Sequence, residues 1–252
     1  MRRAAAGFVR AIRLERERVP SFDNYPFSIP AIAQLAELDL HPEVTFLIGE
    51  NGSGKSTVVE AIAVRAGFNA EGGTQNFNFG TRRSESELHG FLRLVRESRR
   101  QSTGFFLRAE SYFNVATEVE RLGVMDAYGG VSPHEQSHGE SFLALANHRF
   151  GANGFFILDE PEAALSPQRQ LSMLDIIHDR VSAGSQFIIA THSPILMAYP
   201  DAWIYELTAA GIRRVEYKAT EHYQVTRDFL NAPERYLKHL IGVKKSDDDS
   251  DL

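Results

Sequence analysis

Nine consecutive residues, GENGSGKST from Gly49 to Thr57, concentrate the chemistry of this chain. Their spacing is G-x-x-x-x-G-K-[ST]. Gly49, Glu50, Asn51, Gly52, Ser53 and Gly54 make a loop whose backbone N–H groups can curl inward onto phosphate oxygens. Lys55 reaches the β- and γ-phosphates of a nucleoside triphosphate, the Ser56 hydroxyl ligates Mg²⁺, and Thr57 carries the chain into a helix whose positive end faces the same anion. With ordinary glycine usage the pattern arises by chance in roughly one chain of this length in a hundred. Its position between an apolar strand and a helix lowers those odds further.

Two more stretches supply what such a loop needs. FFILDEPEAALSP runs from Phe155 to Pro167. A hydrophobic strand that ends in Asp159 puts a carboxylate at the strand's C-terminal end, where it can partner Mg²⁺ beside the phosphate loop. Glu160 follows and can accept a proton from an attacking water or orient it. THSP, Thr191 to Pro194, closes the next strand. His192 sits at the edge where ligands gather, able to contact the γ-phosphate or hold the water.

QSHGES, Gln136 to Ser141, is a short polar run that leads straight into an apolar helical pattern. Ser137 with Glu140 three residues later is a capping box. Such a helix start is also an anion site.

Around these residues the hydrophobic pattern places the elements. FVRAIRLERERV reads as a first strand with charged outer positions. VTFLI (Val44 to Ile48), GFFILDE and SQFIIATHS read as buried strands, and WIYEL and IRRVEYK as two more. STVVEAIAVRAG reads as a helix stopped by Gly67. SPQRQLSMLDIIHDRVSAG reads as another, with Ser166 as N-cap and Pro167 at the first position. SFLALANHRF, SELHGFLRLVRESRRQ, AESYFNVATEVERLG and HYQVTRDFLNAPERYLKHL are further helical segments, the last broken near Pro233. The alternation predicts an α/β fold with a mostly parallel central sheet covered by helices on both faces. KKSDDDSDL, Lys244 to Leu252, is apolar-poor, and a disordered acidic tail is expected over 243–252.

The chain has 252 residues, 43% hydrophobic and 24% charged, which is ordinary for a globular protein. A net charge of −6 provides no overall positive field for nucleic acid. Cysteine is absent, which excludes disulfides and thiolate metal sites and favours a cytoplasmic setting. No apolar run reaches the length that spans a bilayer, so membrane insertion is not expected.

The motifs occur in the order GENGSGKST, SHGES, ILDEPEAALSP, ATHSP, and in that order they resemble the ABC-type ATPase superfamily over most of the chain, roughly residues 8–207. The match resembles the small stand-alone predicted ATPases carrying the AAA-family label, related to the chromosome-maintenance, recombination and overcoming-lysogeny-defect ATPases. The resemblance implies a P-loop NTPase fold of ABC type over 1–242, with an antiparallel N-terminal β portion and a small helical lobe at about 82–150. It implies that QSHGES is the family's signature loop, with Ser137 as its serine, Gly139 as its second glycine and Glu140 as its final polar residue. His138 stands where the first glycine is expected, and Gln136 where leucine is. In such families the signature loop completes the site of a second subunit, so a head-to-tail, ATP-dependent homodimer is implied, with AALS (Ala163 to Ser166) crossing between the sites. Gln75 is the positional candidate for the glutamine that links Mg²⁺ to the helical lobe. Phe22, Tyr25 and Phe27 are candidates for the aromatic that stacks on adenine. The resemblance implies ATP and Mg²⁺ as ligands and ATP hydrolysis as the reaction. It points to a switch in DNA maintenance or defence acting with an unidentified protein partner, and the nucleotide-binding subunit of an ABC transporter is the alternative.

Arg82, Arg83, Arg93, Arg96, Arg99 and Arg100 make the region after the first helix locally basic, with Glu85, Glu87 and Glu97 among them. Three readings stand together: contact with a nucleic-acid backbone, a solvated helix face, or a surface for a partner protein.

Overall fold

The computed structural model describes residues 7–74, 86–110 and 138–242. Two compact units make up the chain, one running to Val215 and one from Glu216 onward. The single domain expected over 1–242 runs across the first unit and into the second.

The first unit is built on two sheets. Strands β1 (Val9–Leu14), β2 (Glu37–Asp39) and β4 (Leu92–Arg96) form an antiparallel sheet in the order β2-β1-β4. The larger sheet has β3 (Val44–Ile48), β5 (Thr103–Arg108), β6 (Gly154–Asp159), β7 (Gln186–Ala190), β8 (Trp203–Thr208) and β9 (Gly211–Val215), in the order β5-β6-β7-β3-β8-β9. All neighbours in it are parallel except β8 and β9, which form an antiparallel hairpin. This is the expected mostly parallel α/β architecture with an antiparallel N-terminal β portion.

Each residue of β3, β6 and β7 is buried, as strands with both faces covered must be. Phe155 and Ile157 join Leu47 and Ile188 in the core cluster that also holds Val58, Val59 and Ile62 of helix α2 (Lys55–Ala66). Phe156 points the other way, stacked on Phe150 at 4.5 Å between ring centroids, with Phe187 beside it. Helices α3 (His138–Arg149) and α4 (Pro167–Ser182) pack together, and α4 also packs on β7. Ser166 caps α4 as its sequence predicts, its hydroxyl accepting from Arg169 N at 3.4 Å. A short helix, α1 (Pro30–Ala33), precedes β2.

A buried glutamine fastens the two sheets. Gln186 Oε1 accepts from Phe8 N and Val9 N at 2.8 and 3.0 Å, and its Nε2 donates to Val9 O and His41 O at 2.8 and 2.9 Å.

In the second unit, α5 (Glu221–Asn231) is capped by Thr220 and followed by α6 (Pro233–Ile241). The predicted break at Pro233 is where one helix ends and the next begins.

One expected element is different. SELHGFLRLVRESRRQ, predicted as a helix, is a 3₁₀ turn at Glu87–Phe91 followed by strand β4. LRLVR satisfies both periods at short range. Pairing of Leu92, Arg93 and Leu94 with Leu14, Arg13 and Ile12 of β1 decides for the strand, burying Leu92 and leaving Arg93 and Arg96 outside. Of the helical lobe expected at about 82–150, residues 86–110 instead carry β4 and β5 of the two sheets, and residues 138–149 are helical. Its remaining stretches, 82–85 and 111–137, lie outside the described residues, as do nearly all of the helix expected within 109–123 and the tail at 243–252. Among the described residues, no helix is long and apolar enough to cross a membrane.

Candidate functional site

The parallel strands β6, β7 and β3 lie side by side, so their C-terminal ends open onto one edge. That edge carries the residues singled out from the sequence.

The loop 49–54 begins where β3 ends. Gly49 has φ +143, and a Cβ there would lie 2.5 Å from Leu207 O. The bare glycine lets the loop run against β8. The loop turns into α2 through Gly54, whose left-handed conformation provides no side-chain cap, so the first-turn N–H groups of α2 are not taken by a capping side chain. Ser53 Oγ is buried with no hydrogen-bond partner among the described residues. Lys55, only 4% exposed, folds back over the loop. Its Nζ donates to Gly49 O at 2.9 Å and Glu50 O at 3.0 Å. Burial lowers its pKa, against the raising effect of Glu160, Asp159 and Glu162. Uncapped amides, an orphaned hydroxyl and a folded-back ammonium suit a polyphosphate, which gives each of them a partner.

Asp159 ends β6, is 3% exposed, and Oδ1 accepts from Ser56 Oγ at 3.0 Å. A hydroxyl and a carboxylate in contact at a phosphate loop are the donor set Mg²⁺ takes when substrate phosphates provide the rest. Ser56 and Asp159 therefore fit the metal that the motif implies. Burial pushes the Asp159 carboxyl up to about 6, although Arg108 and the Ser56 hydroxyl pull it down.

Arg108 was not anticipated. It ends β5 in register with Asp159. Its Nε lies 3.3 Å from Asp159 Oδ2, as an ion pair without hydrogen-bond alignment, and its Nη1 donates to Glu60 Oε2 at 3.0 Å. Glu60 belongs to α2, and its Oε1 accepts from Ser86 N at 3.1 Å. A buried chain of charges thus ties the helix after the phosphate loop to the end of β6. TGFFLR shows only a β-rich run ending in a cation; the partner of that cation is set by the pairing of β5 with β6.

Glu160 takes a left-handed conformation, φ 50 and ψ 50, and its N donates to Ala190 O at 2.9 Å. Its Oε1 is 3.5 Å from His192 Nε2, and both side chains stay open to solvent, at 40% and 31%. Glu162, also unanticipated, accepts from Thr191 Oγ1 at 2.8 Å and from His192 N at 2.5 Å. Burial raises its pKa, opposed by those two hydrogen bonds.

The structure brings together Lys55, Ser56, Asp159, Glu160 and His192. It places Gly139 and Glu140 elsewhere, at the start of α3. A Cβ on Gly139 would lie 2.6 Å from Arg169 Nη1 and 3.0 Å from Ala164 O, and Glu140 pairs with Arg169 at 2.9 Å. Ser137 and Gln75 lie outside the described residues, as do Arg82 and Arg83. Of the aromatic candidates, Phe27 is buried edge-on against Phe91, and Phe22 lies under the Arg16 guanidinium. Tyr25 is 66% exposed, with its hydroxyl 3.5 Å from Thr57 Oγ1. The basic stretch does not form a helix face. Arg93 and Arg96 are exposed on β4, while Arg99 is engaged by Asn153 Oδ1, by Gly184 O and by the Phe8 ring.

Comparison with known proteins points to AAA-type domains and to an ABC-type fold. Residues 92–198 match the family model described as "AAA domain, putative AbiEii toxin, Type IV TA system", and residues 27–113 match a second AAA-domain model. An energy-coupling factor transporter ATP-binding protein EcfA2 from Lactococcus lactis subsp. cremoris is 25% identical over 263 residues, 93% of this chain and 86% of that protein. The EcfA2 of Leuconostoc mesenteroides subsp. mesenteroides is 24% identical over 200 residues, 68% of this chain and 70% of that protein. Among solved structures, "An inward-facing conformation of a putative metal-chelate type ABC transporter" shares the fold, with a TM-score of 0.51 and 15% identity over 87% of this chain and 88% of that one.

Proposed function

We propose that the chain is an ABC-type/AAA P-loop ATPase, an assignment its two AAA-domain matches support, and that it binds ATP on Gly49–Thr57 and hydrolyses it with Mg²⁺. One observation carries the reading: Lys55, Ser56, Asp159, Glu160 and His192, drawn from three separate segments, meet at one sheet edge with the Ser56–Asp159 and Glu160–His192 pairs already made.

Each residue has a part. Lys55 exchanges its two carbonyl acceptors for oxygens of the β- and γ-phosphates, and the loop amides and the Ser53 hydroxyl take the remaining ones. Ser56 and Asp159 would hold Mg²⁺, which supplies neutralising charge to the phosphate oxygens. Glu160 orients the attacking water and takes its proton, and His192 beside it contacts the γ-phosphate. Tyr25 offers its open face to the adenine. Because phosphoryl transfer is chiefly positioning and electrostatics, this set suffices once the site is closed.

Closure comes from a second subunit in this reading. Ser137, Gly139 and Glu140 act across a head-to-tail homodimer at the partner's nucleotide, and hydrolysis releases the two chains. The output is a switch in DNA maintenance or defence in a cytoplasmic setting, with a protein partner yet to be identified. A helical lobe over the later part of that span, about 111–150, belongs to the same proposal, and so does the metal link through Gln75. A second reading, the nucleotide-binding subunit of a transporter, is favoured by the two EcfA2 relatives.

Steady-state ATP hydrolysis with and without Mg²⁺, comparing wild type with Glu160→Gln, tests the core of the reading. Wild type is expected to turn over only with Mg²⁺, and Glu160→Gln to lose at least about 100-fold in kcat, the scale of a lost general base, while still binding ATP. Turnover that persists in Glu160→Gln overturns the assignment. Adding duplex or single-stranded DNA at low salt separates the outputs: a changed rate supports the DNA-linked switch, and co-purification with an integral membrane protein supports the transporter subunit.

A further inference from the structure

We propose that Glu162 is a positioning residue that sets the separation of Glu160 and His192 by pinning the His192 loop to the turn that follows Glu160. The proposal rests on the ATPase reading above and adds a residue to which that reading gives no role.

The two loops leave adjacent parallel strands, β6 and β7. The ladder holds them in register only as far as Asp159 opposite Ala190, and one further bond, Glu160 N to Ala190 O at 2.9 Å, ends it. Beyond that point the backbones have no ladder to keep the two side chains at working distance. Glu162 provides the substitute. It sits in the 3₁₀ turn Pro161–Ala164, which is closed by Ala163 N to Glu160 O and followed by Leu165 N to Glu162 O, both 3.0 Å. Pro161 in that turn is buried. From this base the carboxylate reaches back to β7's exit and uses both oxygens, Oε2 on the Thr191 hydroxyl and Oε1 on the His192 amide.

The far side of the His192 loop is held as well. Ser193 N donates to Thr191 Oγ1 at 3.0 Å, Ser193 Oγ donates to the buried Gln170, and Ile195 N and Leu196 N donate back to Ser193 Oγ at 3.1 and 3.2 Å. His192 is therefore gripped on one side by α4 and on the other by Glu162. Only the second grip refers its position to Glu160. Two donors one residue apart call for an acceptor with two oxygens on a short reach, which a glutamate at 162 fulfils. Glutamine can keep the bond to the His192 amide through its carbonyl oxygen. Alanine keeps neither bond.

The test compares wild type, Glu162→Ala, Glu162→Gln and Thr191→Val by ATP hydrolysis and by hydrogen–deuterium exchange of the chain without nucleotide. Thr191→Val removes one arm, together with the acceptor of Ser193 N, while leaving the turn's own residues intact, and it serves if Glu162→Ala fails to fold. We expect kcat to fall roughly 10- to 100-fold in Glu162→Ala with KM for ATP changed less than about threefold, as for a misplaced catalytic pair. Thr191→Val should fall in the same direction, and Glu162→Gln should recover most of the rate. The His192 amide should exchange about tenfold faster in Glu162→Ala, as for one lost hydrogen bond, with β6 and β7 unaltered. Wild-type kcat in Glu162→Ala, exchange that rises throughout β6 and β7, or a Glu162→Gln variant as impaired as Glu162→Ala would each overturn the proposal. The last of these would make the charge, and not the geometry, the acting feature. Should wild type hydrolyse nothing, the ATPase reading falls by itself, and the exchange of the His192 amide alone decides whether Glu162 is the pin.

Discussion

Replacing Asp159 with asparagine should make the protein more stable at pH 8 while abolishing its Mg²⁺-dependent chemistry. The structure sets the size of the effect. The Asp159 carboxyl titrates at about 6 in the fold, against 3.8 for the free side chain, because burial outweighs Arg108 and Ser56. Between those two values the folded state holds a proton that the unfolded state has lost. The sign follows: stability is full below pH 3.8, falls as pH rises through about 6, and is flat above. Ionised Asp159 therefore costs about 3 kcal/mol at pH 8 and about half that at pH 5. Asparagine has the shape of the protonated acid and does not titrate. Urea unfolding of wild type and Asp159→Asn, in EDTA and without nucleotide, should show the variant ahead by about 3 kcal/mol at pH 8, with the gap halved at pH 5. The other carboxylates cancel in that comparison. A variant no more stable than wild type at pH 8, or a gap that does not shrink on acidification, would refute the reasoning. Hydrolysis by the same preparation should be absent, which places this residue where stability is given up for function.

Two other outcomes follow from the same geometry. Arg108→Met leaves Glu60 and Asp159 buried without their cation and should cost roughly 3–5 kcal/mol in urea unfolding at pH 8, a loss partly relieved when Asp159→Asn is added. Tyr25→Ala should raise KM for ATP roughly 5- to 10-fold with kcat unchanged, as for the loss of one base-stacking surface, and an unchanged KM would remove Tyr25 from the base site.

The phosphate loop, the strand ending in Asp159 and the strand before His192 were legible because each is a local pattern: a glycine spacing, an apolar run, a polar stop. Their meeting at one edge follows from parallel strands, whose C-terminal ends must coincide. Arg108 and Glu162 were not legible for a shared reason. Each acts on a residue of a neighbouring strand, and which strands are neighbours is a property of the sheet. Arg108 matters because β5 lies beside β6, and no local signal in TGFFLR states that. In the sequence Glu162 is one more acid after DE, and Thr191 and His192 come within its reach only because β7 lies beside β6. LRLVR was misread because five residues fit helical and alternating periods alike, and pairing with β1, some eighty residues earlier, settles the matter. The same pairing removed Arg93 and Arg96 from the helical face on which the basic stretch had been drawn.

The strand order carries one more consequence, in time. β3, which delivers the phosphate loop, is hydrogen-bonded in the large sheet to β7 and β8, which come about 140 residues later in the chain. During synthesis from the N-terminus, the loop is therefore made long before either strand that frames it, and Phe8 and Val9 likewise await Gln186. At translation rates of 5–20 residues per second that interval is roughly 7 to 28 s. A nascent chain halted before residue 186 carries the whole GENGSGKST motif and still lacks the walls that shape it. Ribosome-bound intermediates of increasing length should acquire ATP affinity in one late step, as β7 and β8 emerge, and a chaperone acting on this protein would meet β3 as an exposed apolar strand throughout the wait.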